Sequence, residues 1–302
     1  MINVRCLAVP ALVISAMSVS AQIPSAITSD PAPVADSAAS MSSFQIPSHG
    51  AGLNALMYVA PGPGPHPVAI LLHGFPGNER NLDLAQAIRR DGWDVLYFDY
   101  RGSWGTLGDF SFTHCMEDVQ SAIAYVRDPA NAKKLRADPA EIVLIGHSMG
   151  GLMAAWATAQ DSGIRGAVLI SAADMAGRTR IPDNTPPEVR KQVLGKVAGG
   201  LASEGLAPLA GCTPEGLAAE LMAHAQEWTL AGFAAKLATR PVLVIASDDG
   251  TGAANDALVA AMRAAGSKQV NAVHMATDHS YSDKRIELEK TVLGELDALT
   301  SK

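Results

Sequence analysis

The stretch from Ile142 to Ala159 constrains the fold of this chain more than any other part of its sequence. It begins with a short, wholly apolar run, Ile142-Val-Leu-Ile145, which predicts a buried strand. The run leads straight into Gly146-His-Ser-Met-Gly150, and residues 152–159 are good helix formers. A Gly-x-Ser-x-Gly sequence between a strand and a helix is typical of a sharp turn, the nucleophile elbow, which lifts a serine hydroxyl above a sheet. We therefore expect Ser148 to lie at a helix N-terminus and to act as a nucleophile.

The remaining apolar runs predict an α/β fold. Short Val/Ile/Leu runs alternate with helical segments, a pattern that builds a parallel sheet from right-handed crossovers. The runs are continuous, which indicates strands buried on both faces. Ordered structure is expected from Phe44 onward. Strands are expected at 53–59, 68–72, 95–98, 142–145, 167–171, 241–246 and 270–275, and helices at 81–90, 117–127, 152–159, 255–265 and 282–299.

The alternation lapses between residues 174 and 240. Two helical segments, 186–198 and 214–228, are joined there by Gly/Pro-rich sequence, and the whole segment lies between two core strands. We expect an inserted helical cap over the functional end of the sheet. Two ordinary surface helices remain the alternative.

The N-terminal part of the chain differs from the rest in composition. Residues 1–21 have a basic start, an apolar centre and a Val19-Ser-Ala21 end, as in a secretory signal peptide. Residues 22–43 are rich in Ala, Ser and Pro, and we expect a flexible leader before the domain at 44–302. The sequence therefore predicts an exported protein, periplasmic or secreted, without stable membrane insertion after signal removal. A net charge of −7 argues against nucleic acid as a partner.

The order of four motifs resembles the α/β-hydrolase family. His73-Gly74 comes first, followed by the elbow, then Asp248-Asp249, and finally His279. The resemblance covers residues 44–302 and implies a mostly parallel central sheet of about eight strands with helices on both faces. Many members of this family are serine esterases, lipases or peptidases.

The predicted base is His279. A serine hydroxyl needs a positioned base, and the base needs an orienting acid. In this fold the acid and then the histidine follow the serine in the chain. Of the later histidines, His224 falls in a cap helix and His274 inside the last strand, whereas His279 follows that strand. Catalytic groups gather at such strand ends, and we expect activity to fall when His279 is protonated.

The predicted acid lies in the loop after the strand at 241–246. Asp248 and Asp249 both lie there, and their positions alone leave the choice open. The resemblance favours Asp249, because members with two adjacent aspartates at this point often use the second. The other aspartate is expected to cap or stabilise the turn.

The oxyanion of an acyl-transfer reaction needs two N–H donors. The resemblance implies the backbone N–H groups of Met149, directly after the nucleophile, and of Phe75, in the loop after the strand at 68–72. Within the elbow, His147 is expected to be a family-typical filler. Trp104 and Phe110 are expected to line a substrate pocket, with packing beneath the cap as an equal alternative.

These residues together predict a serine hydrolase that cleaves a small carboxylic ester through an acyl-enzyme. A peptidase or amidase with the same triad, acting on a peptide, is the first alternative. A non-catalytic binding protein on the same fold is the second. No metal or cofactor is expected, because the sequence has no zinc-type His or Cys spacing and no phosphate-binding glycine loop. Pairing of Cys115 with Cys212 is left open.

Overall fold

A computed structural model describes residues 23–300, and the predicted signal peptide lies outside these residues. An eight-stranded sheet runs through its centre in the order β1-β2-β4-β3-β5-β6-β7-β8. The first two strands run antiparallel to their neighbours, and from β4 across to β8 all pairs are parallel. The strands are β1 (Ser40–Ser48), β2 (Ala51–Val59), β3 (His66–Leu72), β4 (Asp94–Phe98), β5 (Ala137–His147), β6 (Gly166–Ile170), β7 (Val242–Ser247) and β8 (Val270–Met275). The predicted fold class is confirmed.

Helices connect the strands and cover both faces of the sheet. They are α1 (Ser25–Thr28), α2 (Leu82–Arg90), α3 (Phe112–Arg127), α4 (Pro129–Leu135), α5 (Met149–Gln160), α6 (Pro187–Ser203), α7 (Pro214–Ala223), α8 (Ala234–Leu237), α9 (Gly252–Ala264) and α10 (Arg285–Thr300). Two short 3-10 turns lie at Ala176–Thr179 and Leu230–Phe233.

Alternate side chains of the central strands enter two separate apolar clusters, as the pleat of a strand requires. In β3, Ile70 and Leu72 pack with residues of α3, α5 and α9. Ala69 and Leu71 lie in the other cluster, which contains residues of α2 and α10. Burial on both faces explains why these strands appear in the sequence as continuous apolar runs.

Ordered structure begins earlier than the sequence predicts, within the leader expected to be flexible. Strand β1 starts at Ser40 and pairs with β2 along its whole length. Further upstream, the Arg90 guanidinium donates to the carbonyl of Ala26, and the Arg136 guanidinium donates to that of Ala38. Most β1 side chains are exposed, so the strand lacks the apolar run that marks the others.

Helix α4, like the short α1 and α8, is absent from the sequence prediction. Asp128 and Pro129 end α3 as expected, but Pro129 is also the first residue of α4. The Asp128 carboxylate accepts hydrogen bonds from the backbone N–H groups of Ala130 and Asn131, at 3.0 Å each. Proline in the first turn of a helix loses no hydrogen bond, so the same pair of residues ends one helix and begins the next.

The insertion between β6 and β7 carries the two predicted helices, now α6 and α7. It is joined to the loop between β4 and α3 by backbone hydrogen bonds. Trp104 N donates to Pro208 O and Phe110 N donates to Ala210 O, both at 2.9 Å. The Glu220 carboxylate also accepts from Thr113 N at 2.8 Å. The insertion is therefore fixed to a loop at the C-terminal end of the sheet, and its role as a cap stays a prediction.

Candidate active site

The turn at Ser148 has the backbone conformation predicted from the sequence. Ser148 follows β5, begins α5 as its N-cap residue, and has φ +58° and ψ −120°. A Cβ atom at Gly146 would overlap the carbonyl of Gly150, and one at Gly150 would overlap the carbonyl of Leu72. Both glycines are therefore required for the close approach of strand and helix. The strain at Ser148 is of the kind that folds maintain at functional residues.

Neighbouring strands hold this turn in place. Ser148 N donates to Ile170 O at the end of β6, and Ala173 N donates back to Ser148 O, both at 2.9 Å. On the other side, an ideal Cβ on Gly74 would lie 2.9 Å from Ser148 Cβ and 3.4 Å from its Oγ. The loop after β3 therefore lies directly against the serine hydroxyl, and a glycine there makes this approach possible.

His279 and Asp249 form a short hydrogen bond, with Nδ1 2.6 Å from Oδ2. The Asp249 side chain is 3% exposed, and its Oδ1 atom accepts from the Thr251 backbone N–H and hydroxyl at 2.8 and 2.7 Å. Burial acts to raise the pKa of Asp249, but hydrogen bonds from His279, Ser171 and Thr251 hold it well below the usual range. Asp249 is therefore a fixed carboxylate, bound to a partly exposed imidazole.

The neighbouring aspartate has a different partner. Asp248 Oδ1 lies 2.9 Å from Nε2 of His274, and both side chains are more than half exposed. His274 lies on the edge strand β8 and Asp248 directly follows β7, and both side chains face solvent. The structure thus brings His279 together with Asp249 and not with Asp248.

A small pocket of about 200 Å³ joins the serine to the histidine. Ser148 and His279 both line it, together with residues from the loop after β3. That loop supplies Phe75, and Met149 follows Ser148 as the first, buried residue of α5. The pocket therefore contains the predicted nucleophile, the predicted base and one of the two predicted oxyanion residues. Its complete lining is Gly74, Phe75, Pro76, Gly77, Asn78, Glu79, His147, Ser148, Glu204, His279 and Ser280.

The loop after β3 is held by two side chains. The Trp104 indole N–H donates to Pro76 O at 2.8 Å. The fully buried His73 ring donates through Nδ1 to Gly74 O, also at 2.8 Å. Burial lowers the pKa of His73 to about 4, so the ring is neutral above that pH. Both contacts fix the backbone next to Phe75.

Trp104 and Phe110, which the sequence predicts in a substrate pocket, are not among the residues that line this pocket. Phe110 is buried and packs against Phe75 and Phe112, with ring centroids 5.7 and 6.0 Å apart. Trp104 binds the loop after β3 and carries the Arg80 guanidinium 4.3 Å from its ring. Phe110 thus follows the packing alternative, and Trp104 supports the site without lining the pocket.

Glu204 and His147 are among the pocket residues that the sequence analysis does not name as site residues. Glu204 follows α6 in the insertion, so only the folded chain brings it to the pocket that Ser148 lines. The sequence predicts only a filler role for His147, but its Nε2 donates to the carbonyl of His279 at 2.8 Å. Its position inside the elbow was the only signal available for that contact.

The described residues contain neither a metal-binding cluster nor a membrane-spanning helix. Among residues 23–300, no group of three or more His, Cys, Asp and Glu side chains could hold a metal ion. Within the same range, none of the helices combines the length and apolar character that a bilayer crossing requires.

Comparison with known proteins agrees with this architecture. The uncharacterized protein YfhR of Escherichia coli O157:H7 is 31% identical over 116 residues, or 36% of this chain and 39% of that protein. The chain thus spans about two fifths of that relative's length.

Three solved esterases are similar in fold. Est1E from Butyrivibrio proteoclasticus, solved with ferulic acid, has a TM-score of 0.66 at 20% identity, covering 86% of this chain and 100% of that one. A Pyrobaculum calidifontis esterase gives 0.62 at 20% identity, covering 86% of each chain. A Bacillus coagulans carboxyl esterase gives 0.63 at 16%, covering 86% and 99%.

Residues 69–287, well over half of the chain, match the family described as the alpha/beta hydrolase family. The elbow at Ser148, the parallel sheet and the chain order of the site residues all fall within this match. The chain belongs to the alpha/beta hydrolase family.

Proposed function

We propose that this protein is a serine hydrolase that cleaves small carboxylic esters through an acyl-enzyme. The observation that carries the proposal is the 2.6 Å hydrogen bond between His279 and Asp249 beside a pocket that Ser148 also lines. An activated serine requires these three groups in these roles. The family match and the fold similarity to esterases support a hydrolase, and they favour esters over peptides as its substrates.

In the proposed reaction, Ser148 Oγ attacks the ester carbonyl carbon while His279 Nε2 takes the hydroxyl proton. The backbone N–H groups of Met149 and Phe75 donate to the oxyanion of the tetrahedral intermediate. His279 then gives its proton to the departing alcohol, which leaves Ser148 acylated. Water then attacks the acyl carbon while His279 takes one of its protons, and His279 returns that proton to Ser148 Oγ as the bond to the acyl group breaks and the carboxylic acid leaves.

The electrostatics of Asp249 fit this cycle. His279 becomes positively charged in each half-reaction, and a carboxylate hydrogen-bonded to Nδ1 stabilises that charge. The hydrogen bonds that lower the pKa of Asp249 keep it ionised wherever the base is neutral. Because Nδ1 of His279 is bound to Asp249, Nε2 is the ring nitrogen that accepts the proton of Ser148.

The proposal is tested by stopped-flow kinetics with p-nitrophenyl acetate. We expect a burst of p-nitrophenol about equal to the enzyme concentration, followed by slower steady turnover. Ser148→Ala should lose the burst and on the order of 10³-fold or more in kcat. The exposed Ser162→Ala serves as the matched control and should retain both. An equal burst from Ser148→Ala would refute the assignment. A folded wild type without ester or peptide cleavage would favour the binding-protein alternative.

The proposal includes export of the mature enzyme. Residues 1–21 have the composition of a signal peptide, and we expect cleavage after Ala21. N-terminal sequencing of protein recovered outside the cytoplasm should therefore begin at Gln22. A recovered chain that still begins at Met1 would contradict this part of the proposal.

A further inference from the structure

A single buried amide connects the loop that carries Asp249 with the backbone of Ser148. The amide belongs to Asn255, which lies in the first turn of α9 and is 1% exposed. Its Nδ2 atom lies 2.9 Å from the carbonyl oxygen of Ala172 and 3.0 Å from that of Thr251. Ala172 follows β6, and Thr251 lies between β7 and α9. The side chain therefore joins two neighbouring segments at the C-terminal end of the sheet.

The two partners of this amide fix its orientation. Both are backbone carbonyl oxygens, which only accept hydrogen bonds, so the NH2 group of Asn255 faces them and gives one proton to each. The amide oxygen, Oδ1, is then buried without a hydrogen-bond partner among residues 23–300. An unpaired buried oxygen costs free energy, which an apolar side chain would avoid. The two donated bonds are therefore what asparagine adds at this position.

The bond to Ala172 leads directly to the nucleophile. The carbonyl of Ala172 and the N–H of Ala173 belong to one planar peptide group. That N–H donates to the carbonyl oxygen of Ser148 at 2.9 Å. Ser148 has a φ of +58°, a strained conformation that the bonds around it must maintain. One rigid peptide group thus separates the Asn255 amide from the backbone of Ser148.

The bond to Thr251 leads to the acid. Thr251 is the N-cap residue of α9, and its backbone N–H and hydroxyl donate to Asp249 Oδ1 at 2.8 and 2.7 Å. The Thr251 carbonyl accepts from the side chain of Asn255 and also from its backbone N–H, at 3.3 Å. Asp249 in turn binds His279. The same asparagine therefore contacts the residue that binds the acid and the peptide group that binds the nucleophile.

We propose that Asn255 is a positioning residue, whose side-chain amide holds the pair of Asp249 and His279 in register with Ser148. The inference rests on the proposed function, because it concerns the same three groups. The pairing of β6 with β7 ends at Ile170 and Ile245, before the segments that bind these groups begin. Beyond that point, the Asn255 amide continues the connection between the two sides of the site.

Loss of the amide should slow the reaction without weakening substrate binding. Proton transfer from Ser148 to His279 needs the two groups in register, and a small displacement lowers the rate of that step. Asn255 is not among the residues that line the catalytic pocket, so KM should stay near its wild-type value. The bond between Asp249 and His279 does not involve Asn255, so the acid limb of the activity profile should stay at the wild-type pH.

The experiment measures kcat and KM for p-nitrophenyl acetate across pH in wild type, Asn255→Leu and Asn255→Ala, well below the unfolding midpoint of each. Leucine keeps the branched shape of asparagine without a donor, and alanine avoids any overlap that leucine causes. We expect both variants to lose roughly 10- to 100-fold in kcat, as small misplacements of reacting groups do. Their KM values should stay within about twofold of wild type.

Met262→Ala is the matched control. Met262 is a buried residue of the same helix, and its truncation removes core packing but leaves the Asn255 amide in place. We expect it to lower the midpoint of thermal unfolding at least as much as Asn255→Ala does, with kcat within about twofold of wild type.

Wild-type kcat in the folded Asn255 variants, or an equal loss of kcat in Met262→Ala, would overturn the positioning role. A shifted acid limb in the Asn255 variants would also overturn it, because the amide would then act on the acid itself. Failure of the proposed function would look different, since wild type itself would then cleave no ester or Ser148→Ala would cleave it equally well.

Discussion

The imidazole Nε2 of His147 lies 2.8 Å from the backbone carbonyl oxygen of His279, and the two rings are 4.7 Å apart. Because a carbonyl only accepts, His147 is the donor. The contact joins the residue before Ser148 to the residue proposed as its base. Burial lowers the pKa of His147 to about 4, so the ring stays neutral above that pH and can hold this bond.

Replacement of His147 should change how stability depends on pH. The folded chain protonates His147 near pH 4, whereas an exposed histidine takes its proton near 6.5. The unfolding free energy of wild type therefore decreases by up to about 3 kcal/mol, through this group alone, as the pH falls from 6.5 to 4. His147→Gln keeps an N–H donor but does not titrate. Its unfolding free energy relative to wild type should therefore rise as the pH falls through that interval. Urea unfolding at several pH values measures this. A difference that stays constant with pH would contradict it.

The two adjacent aspartates should differ sharply in their effect on catalysis. Asp249→Asn removes the buried carboxylate bound to His279, and we expect kcat/KM to fall on the order of 10³- to 10⁴-fold. Asp248→Asn changes an exposed group paired with His274 and should stay within about twofold of wild type. Steady-state kinetics on one ester decide the matter. A larger loss in Asp248→Asn would show that the acid has been assigned to the wrong residue.

The elbow glycines should tolerate no side chain. A Cβ at Gly146 would overlap the backbone of Gly150, so Gly146→Ala should lower the unfolding free energy by about 2–3 kcal/mol and reduce activity. Gly200→Ala is the control, since the structure describes open space around that position in α6. It should be neutral or stabilise by up to about 1 kcal/mol. Denaturant unfolding compares the two, and equal effects would contradict the packing described for the turn.

The charge of Glu204 should influence which esters are accepted. Glu204 lines the same pocket as Ser148 and directly follows the C-terminal end of α6, where the helix dipole is also negative. Acetylcholine and 3,3-dimethylbutyl acetate have nearly the same shape but differ in charge. We expect Glu204→Gln to reduce kcat/KM for the cationic ester relative to the neutral one by about three- to fivefold.

The control for this prediction is Glu188→Gln, at the opposite end of the same helix. It should leave the ratio of kcat/KM for the cationic ester to kcat/KM for the neutral ester unchanged. Added salt should lower that ratio in wild type. Glu204 would not determine specificity if Glu204→Gln left this ratio unaltered, or if Glu188→Gln altered it equally.

Much of the fold could be predicted because its central strands are buried on both faces. That burial produces the continuous apolar runs of β3 to β7, and the elbow adds a backbone constraint that only glycines satisfy. Strand β1 was harder to detect because its mostly exposed side chains follow no apolar pattern. The double role of Asp128 and Pro129 shows a further limit, since a sequence that ends one helix can equally begin the next.

The candidate site was predictable where chain order and strand ends determine position. His279 and Asp249 follow neighbouring strands, so their meeting could be expected from the topology. The approach of Glu204 depends on how the insertion folds back onto the sheet, which no local pattern encodes. The packing of Phe110 depends on its aromatic neighbours in the same way.

The most direct test of the account is intact-mass spectrometry after exposure to a fluorophosphonate probe. Such a probe labels only a serine activated by a working base, so it requires Ser148, His279 and Asp249 to act together. We predict one adduct per chain on wild type and none on folded Ser148→Ala. No adduct on folded wild type, or an equal adduct on Ser148→Ala, would contradict the assignment of Ser148 as the nucleophile.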